Sequence, residues 1–356
     1  MAKMWRNAVV GVGVVGDWHV RLINQIPNTQ LVAVCDQDTA KAQASLDKHK
    51  ITGVKVYADE AEMLAKHPEL EVVHVCTPSG NHMDPAIMAI EAGKHVIVEK
   101  PMEISLERID KIIAAASKKG VKLAGIFQNR WNGANRALKD AADAGRFGTI
   151  AWAGSMTPWY RSDQYYREGG WRGTWKLDGG GAIMNQSVHA VDLIQWVVGP
   201  VKQVSAYASS RIHPEIEVED TLSCSLQFQN GAFGTIVGST AMYPGGAVRL
   251  EVGGGDGHAV SENSLVRYKF RNETPEDEAL RERLGPGAGK ATSTAGGSSA
   301  TDVPLDMHGH NIVHILERWE AGQEADTNGP EARKAVAIIL AMYESAKKNG
   351  QPVEVK

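Results

Sequence analysis

The stretch "AVVGVGVVG", Ala8–Gly16, decides the fold of this chain. A short β-branched run breaks into Gly11, Gly13 and Gly16, and the start of a helix follows. Glycines so placed permit a tight turn and let backbone N–H groups approach a pyrophosphate, which the helix amino terminus attracts. Alone the pattern is weak. Here it stands between strand and helix, and Asp36 ends the next strand 20 residues after Gly16, where a carboxylate can accept from ribose hydroxyls. Gly11, Gly13, Val14, Val15, Gly16 and Asp36 are therefore expected to bind a dinucleotide. Gln37 and Asp38 follow, so a 2′-phosphate would meet two carboxylates and no arginine, and NAD is expected over NADP.

Outward from this turn, "LVAVCD", "EVVHVCTP", "HVIVEKP" and "VKLAGIF" alternate with helical patterns such as "LERIDKIIAAASKKG". That alternation predicts an α/β fold with an N-terminal Rossmann parallel sheet over residues 1–127. From about Thr149 strand-like runs follow one another without long helices between them, and "QNGAF" carries the Asn-Gly pair of a tight hairpin. Residues 128–356 are thus expected to form a second α/β domain with a large, mostly antiparallel open sheet. The stretch Gly285–Thr301 is rich in Gly, Ser and Thr and reads as a mobile loop. Two closing helices, "NIVHILERWEAG" and "EARKAVAIILAMYESAKKNG", are read as able to pack back on the Rossmann domain.

The 356 residues, 43% of them hydrophobic, suffice for two cores without a disulfide or metal staple. Cys35, Cys76 and Cys224 form no CxxC pair, which fits a reducing compartment. No stretch approaches a membrane span, and the amino terminus lacks an apolar run followed by a small-residue cleavage site. A net charge of -4 with mixed signs leaves no basic footprint for nucleic acid or an anionic membrane. The expectation is a cytoplasmic protein with small-molecule partners.

Two more stretches end at the carboxyl edge of the parallel sheet, where ligands of open α/β folds bind. In "CTPSGNHMDPA", Thr77, Pro78, Asn81 and His82 are expected to line the cofactor, unless this is a plain turn in which His82 caps or packs. In "HVIVEKP", Lys100 follows Glu99 and could donate to a substrate hydroxyl, steadying an alkoxide as it forms. Farther on, "LDGGGAIMNQSVHAVDLIQW", Leu177–Trp196, reads as a helix after three glycines, with Asn185, His189, Asp192 and Trp196 on one face. A polar stripe on an otherwise apolar helix must meet buried partners or a wet cavity.

Together "GVGVVG", "CTPSGNH", "EAGKHVIVEKP" and "GGGAIMNQSVHAVD" resemble, in order, the glucose-fructose oxidoreductase, inositol dehydrogenase and rhizopine-catabolism (Gfo/Idh/MocA) family. The resemblance covers nearly the whole chain, including "VEDT" near Glu219. It implies nicotinamide-dependent oxidation or reduction of sugars, cyclitols and related alcohols. It also implies an open sheet that packs against a partner subunit, giving a homodimer or homotetramer. Lys100 matches the family's lysine, His189 its histidine and Asp192 the aspartate three residues later. The chain departs from the commonest pattern at Asn185, where an acidic residue is usual, and at Ser187, where glycine is usual. The run "MNQSVH" with "WYRSDQYYREGGWRGTW" looks more like members acting at C3 of glucose-type rings, among them dehydrogenases for UDP-N-acetylglucosamine uronates.

On this reading His189 removes the hydroxyl proton, Lys100 steadies the alkoxide, Asn185 orients substrate or imidazole, and Asp192 fixes the imidazole tautomer or merely satisfies it in a core. Glu99 and Gln128 join the cofactor set, and the triple glycine is expected to approach the nicotinamide. Arg130, Tyr160, Arg161, Trp171 and Arg172 are assigned to the substrate, although the aromatic loop reads equally well as packing. His308, His310 and His314 have partial metal-ligand spacing but no third ligand of evident geometry, and no metal is expected. A cyclitol dehydrogenase, an enzyme that oxidises C3 of a glycoside transiently and recycles its NAD, and a non-catalytic NAD-sensing regulator stand as alternatives. The regulator would be expected to lose Lys100 or His189, and both are present.

Overall fold

Alternating β-branched runs and helices build the first unit in chain order: β1 (Trp5–Val10), α1 (Val14–Gln25), β2 (Thr29–Cys35), α2 (Thr39–Lys48), β3 (Lys55–Tyr57), α3 (Glu60–Lys66), β4 (Val72–Val75), α4 (Met83–Glu91), β5 (His95–Val98), α5 (Leu106–Lys119) and β6 (Leu123–Gly125). The computed structural model describes residues 3–168, 170–287 and 305–356. From residue 288 onward, the stretch read as a mobile loop lies outside the described residues. The chain resolves into two compact units, one running to Phe127 and taking in His308–Arg333, the other Gln128–Met307 with Lys334–Lys356.

All six strands of the first unit are parallel, in the order β3-β2-β1-β4-β5-β6. Val72–Val75 is buried at every position, as a strand covered on both faces must be. The order reverses between β1 and β4, and the carboxyl ends of those two strands form the switch point where such sheets bind ligands. Edge strand β3 was not foreseen, because its three residues, one exposed and two half-buried, are too few for a periodic signal. Helix ends follow local chemistry: Asp38 and Asp59 cap α2 and α3, and Gly120, at φ 72°, closes α5. One core joins Trp5, Val72 and Ile97 to Ile312, Ile315 and Trp319; another gathers Val9, Val20, Leu31 and Leu46.

The remaining elements are α6 (Gly133–Asp143), β7 (Ile150–Pro158), α7 (Asp163–Arg167), α8 (Val188–Val198), β8 (Val201–Ser209), β9 (Thr221–Phe228), β10 (Phe233–Ser239), β11 (Arg249–Gly254), β12 (Gly257–Ser261), β13 (Leu265–Phe270), α9 (Pro275–Leu284), α10 (Leu305–Glu320), α11 (Gly329–Lys347) and β14 (Val353–Glu354). The second sheet has eight strands in the order β13-β12-β11-β7-β10-β9-β8-β14. Only β7 and β10 run parallel; the other neighbours are antiparallel. The "QNGAF" hairpin joins β9 to β10 through Gln229–Ala232, with Gly231 at φ 90°. Strand β9 alternates buried and exposed residues, so one face of this sheet is a core and the other is open. On strands of this sheet Trp152 and Phe233, paired in register, are 38% and 61% exposed, and Tyr207 is 68% exposed. Among the described residues no helix is long and apolar enough to cross a membrane.

Candidate active site

In the first unit the three glycines do three different things. A methyl group on Gly11, at φ 86°, would sit 2.7 Å from the Thr77 amide nitrogen, so the turn is pressed against the end of β4. One on Gly16 would sit 2.0 Å from the Gly11 carbonyl oxygen, so helix and turn pack backbone to backbone. Gly13 faces open space, with only Lys41 Nζ at 3.9 Å. It begins α1 without a side-chain cap among the described residues, which leaves the first-turn amides of Val14, Val15 and Gly16 outside the helix's own bonding. Asp36 Oδ2 accepts from the Val12 amide at 2.7 Å and Oδ1 from the Asp38 amide at 2.9 Å, which fixes the carboxylate at the end of β2. Open space at Gly13, uncapped amides and a fixed carboxylate are what a pyrophosphate and a ribose require, and the residues present fit NAD.

Thr77 and Pro78 stand half-buried at this switch point and Asn81 is exposed; Thr77 Oγ1 donates to the Asn81 carbonyl at 3.0 Å. Two residues expected at the cofactor point elsewhere. His82 is 1% exposed, its Nδ1 2.9 Å from the Pro101 carbonyl and its Nε2 2.8 Å from the Thr77 carbonyl, so it ties two loops together. Glu99 is buried, with Oε1 2.9 Å from His19 Nε2 and Oε2 accepting from the Lys100 amide at 3.1 Å. Its carboxylate braces the backbone of Lys100 from within the core.

In the second unit the stretch read as one helix is two. Ala182–Gln186 forms a wide π turn, closed by the Ser187 amide donating to the Ala182 carbonyl at 2.9 Å, and α8 starts at Val188. The extra residue in the turn puts Asn185 out of phase with the rest of the stripe. Each stripe residue nevertheless finds a partner. Asn185 Nδ2 donates to Asp178 Oδ1 at 2.6 Å. His189 Nε2 lies 3.3 Å from the side-chain nitrogen of Gln128, whose N–H donates to it. Asp192 Oδ2 accepts from Arg130 Nε at 2.7 Å and Oδ1 from Arg130 Nη2 at 2.5 Å. Trp196 lies under the guanidinium groups of Arg130 and Arg136, 5.2 and 5.0 Å from its ring.

These contacts relocate two expectations. Gln128, assigned to the cofactor, sits on the imidazole of His189, and Arg130, assigned to substrate, is 1% exposed with its fork on Asp192. Asp192 in turn holds that fork with both carboxylate oxygens. Asp178 escaped notice in the sequence, because nothing in "KLDGG" distinguishes it from a turn aspartate; it is 2% exposed and also accepts from the Gly173 amide at 2.8 Å.

Within its own unit the triple glycine is closely packed. A methyl on Gly180 would sit 2.0 Å from Tyr343 Oη, and one on Gly181 1.8 Å from the Glu219 carbonyl oxygen. The Glu219 carboxylate accepts from the amides of Gly181 and Ile183 at 3.0 and 2.9 Å and from Tyr343 Oη at 2.9 Å, so it anchors the start of the π turn. Burial pushes its carboxyl up to about 7 against the pull of these donors.

The aromatic loop packs largely on itself. The Arg161 guanidinium lies 4.9 Å from the Trp159 ring, and that of Arg172 lies 4.4 Å from Tyr165 and 5.5 Å from Trp171. Arg172 Nη1 also donates to the Glu168 carbonyl at 2.8 Å, and Tyr160 stacks edge-on against Tyr243. The three late histidines diverge: His308 is buried 3.5 Å from Glu99 Oε1, His310 is exposed, and His314 lies 3.4 Å from Asp326 Oδ2.

Two family descriptions match this chain, "Oxidoreductase family, NAD-binding Rossmann fold" over residues 5–127 and "GFO/IDH/MocA C-terminal domain" over residues 135–260. The WlbA dehydrogenase of Chromobacterium violaceum, solved with NADH and UDP-GlcNAcA, is 31% identical, with 100% of this chain and 97% of that chain covered and a TM-score of 0.87. The chain belongs to the Gfo/Idh/MocA family. Its Bordetella pertussis relative, the WlbA dehydrogenase in complex with the same two molecules, is 29% identical over 100% of this chain and 99% of that one, with a TM-score of 0.88. The D-glucoside 3-dehydrogenase of Escherichia coli (strain K12) is 30% identical over 246 residues, 64% of this chain and 67% of the relative. As a member of the Gfo/Idh/MocA family, the protein is an NAD-dependent oxidoreductase acting on hydroxyl groups.

Proposed function

We propose that this protein oxidises a secondary hydroxyl, at C3, of a glucose-type sugar, glycoside or nucleotide sugar, with His189 as general base and Lys100 as the donor to the reacting oxygen. The observation that carries the reading is the Gln128–His189 contact: the amide N–H donates to the ring, so Nε2 is the lone-pair nitrogen of a neutral imidazole, and a substrate hydroxyl takes the place of that N–H when it gives its proton to Nε2. The bidentate Arg130–Asp192 pair one turn along α8 stiffens the helix that carries His189. His189 takes the hydroxyl proton as the C–H hydride departs, and the Lys100 ammonium compensates charge on the oxygen until the ketone forms. NAD, when bound, supplies the hydride acceptor. Asn185, oriented by Asp178, donates to or accepts from a ring hydroxyl without adding charge. The choice of C3 and of glucose-type rings is supported by the glucoside 3-dehydrogenase and by the nucleotide-sugar complexes of the WlbA relatives.

The open face of the second sheet, with Trp152, Phe233 and Tyr207 exposed, supports a homodimer or homotetramer built through that sheet, and the buried cysteines fit a cytoplasmic location. The test is a screen of purified protein with NAD against methyl β-D-glucoside, levoglucosan, myo-inositol and a UDP-N-acetylglucosamine uronate, following reduced-nicotinamide absorbance. Turnover of a glucoside or the nucleotide sugar to the 3-keto product supports the reading; turnover of myo-inositol alone makes it a cyclitol dehydrogenase. Conversion of a glycoside with no net NADH makes it an enzyme that recycles its cofactor.

A further inference from the structure

A line of buried polar side chains crosses the first unit beneath Lys100. Asn7 Nδ2 donates to the Trp5 carbonyl at 2.8 Å, which turns its Oδ1 toward His74 Nε2 at 3.0 Å. His74 Nδ1 faces His19 Nδ1 at 2.9 Å, and His19 Nε2 faces Glu99 Oε1 at 2.9 Å. Asn7, His19 and His74 are wholly buried, and Glu99 nearly so.

The polarity of this line follows from its first bond. An amide oxygen only accepts, so His74 Nε2 carries a proton. Burial, and then the charge of His19, hold His74 well below its ordinary range, so His74 is neutral and its Nδ1 is a lone pair. His19 Nδ1 must therefore donate to it. A neutral His19 would then turn a second lone pair toward Glu99, and a contact of 2.9 Å between two acceptors is repulsive. One proton must lie between His19 Nε2 and Glu99 Oε1. Glu99 is met by donors at both oxygens, the Lys100 amide at Oε2 and the rings of His19 and His308 at Oε1, the environment of a carboxylate. These contacts outweigh burial and hold it well below the usual range, so the shared proton is assigned to the imidazole side of the pair. The other groups acting on this pair are His308, itself lowered by burial and by the half-buried Lys100, and the buried Cys76 and His82.

We propose that His19 is a positioning residue: as a buried imidazolium on α1 it holds the Glu99 carboxylate whose other oxygen fixes the Lys100 backbone, so one ion pair links the dinucleotide-binding helix to the lysine. The functional half rests on the role given to Lys100 above; the charge state of His19 does not. Because α1 begins at the glycine turn, anything that shifts that helix is transmitted through His19 and Glu99 to Lys100.

The test has two arms on the full-length protein. In the first, ¹⁵N-histidine NMR at pH 7.5, where an exposed histidine carries one ring proton, is expected to show His19 with a proton on each ring nitrogen, and Glu99→Gln is expected to leave it with one. In the second, His19→Gln and Glu99→Gln are each expected to lower kcat at least tenfold, with the KM for NAD changed less than twofold, on whichever of the four screening probes turns over; the double variant should be no slower than the worse single one. A purely structural role would lower the melting temperature and leave kcat of the folded enzyme unchanged. A wild-type His19 with one ring proton, or kcat within twofold of wild type in both variants, overturns the proposal. If a variant does not fold, the wild-type spectrum decides. If no probe turns over, the dehydrogenase reading fails and the spectrum still decides the charge of His19.

Discussion

Arg130 grips Asp192 with two side-by-side hydrogen bonds, Nε to Oδ2 at 2.7 Å and Nη2 to Oδ1 at 2.5 Å, and each side chain is 1% exposed. A buried pair like this adds little net stability over an apolar pair of equal size, yet removing one member strands a charge in a medium that cannot solvate it. Asp192→Asn or Arg130→Met is therefore expected to cost about 3–5 kcal/mol of folding stability. Arg130→Met with Asp192→Leu should recover most of that loss. Urea denaturation of the three variants checks it, and a single-variant cost below about 1 kcal/mol would mean the pair is solvated.

Asn185 stands where an acidic residue is the usual pattern, and its amide lies 2.6 Å from the Asp178 carboxylate. Asn185→Asp would face one carboxylate with another at that distance, and two such groups cannot both ionise. The variant is expected to keep one proton on the pair to a pH above the ordinary carboxylate range, with kcat changing where that proton leaves. The kcat–pH profiles of wild type and variant show whether the new step appears.

The glycine turn separates folding from cofactor binding. Gly13→Ala places its methyl in open space at an ordinary φ of -75°, so stability should change by no more than about 0.5 kcal/mol while NADH affinity falls. Gly11→Ala meets the Thr77 amide and a positive φ, and should destabilise the fold itself. Thermal melts and NADH fluorescence titration separate the two effects.

Glu219 gives the fold a pH dependence of defined sign. Its carboxyl titrates at about 7 when folded against 4.5 ordinarily, so between those values the folded state binds more protons than the unfolded one. Stability from this group is complete below pH 4.5 and is lost as pH rises to about 7, a difference of about 3 kcal/mol. Denaturation midpoints from pH 4.5 to 7.5 should fall more steeply in wild type than in Glu219→Gln.

Much of the architecture was legible because it depends on local patterns: the glycine turn, Asp36 at a strand end, and apolar runs alternating with helices. What was not legible depends on partners far along the chain. The residues of "AIMNQ" suit an α-helix as well as a π turn, and the choice falls to Glu219, which holds the amides of Gly181 and Ile183 from a distant strand end. Strand ends place His82 and Glu99 near the ligand edge but do not say which way they turn; both turn inward, onto Pro101 and His19. The polar stripe was visible as a pattern, while its partners were not: Gln128 and Arg130 lie on a single 3-10 turn, Gln128–Trp131, and Asp178 in a loop, all too short for a periodicity of their own.

The central claim is that His189 serves as base for an NAD-linked oxidation assisted by Lys100. The most direct measurement is single-turnover NADH formation by wild type, His189→Ala and Lys100→Ala with saturating NAD and the probe that turns over, with NADH affinity measured alongside. A fall of at least about 100-fold in His189→Ala, with a large loss in Lys100→Ala and NADH affinity of His189→Ala kept within a few-fold, is the predicted result. Unchanged turnover in both variants would contradict the account.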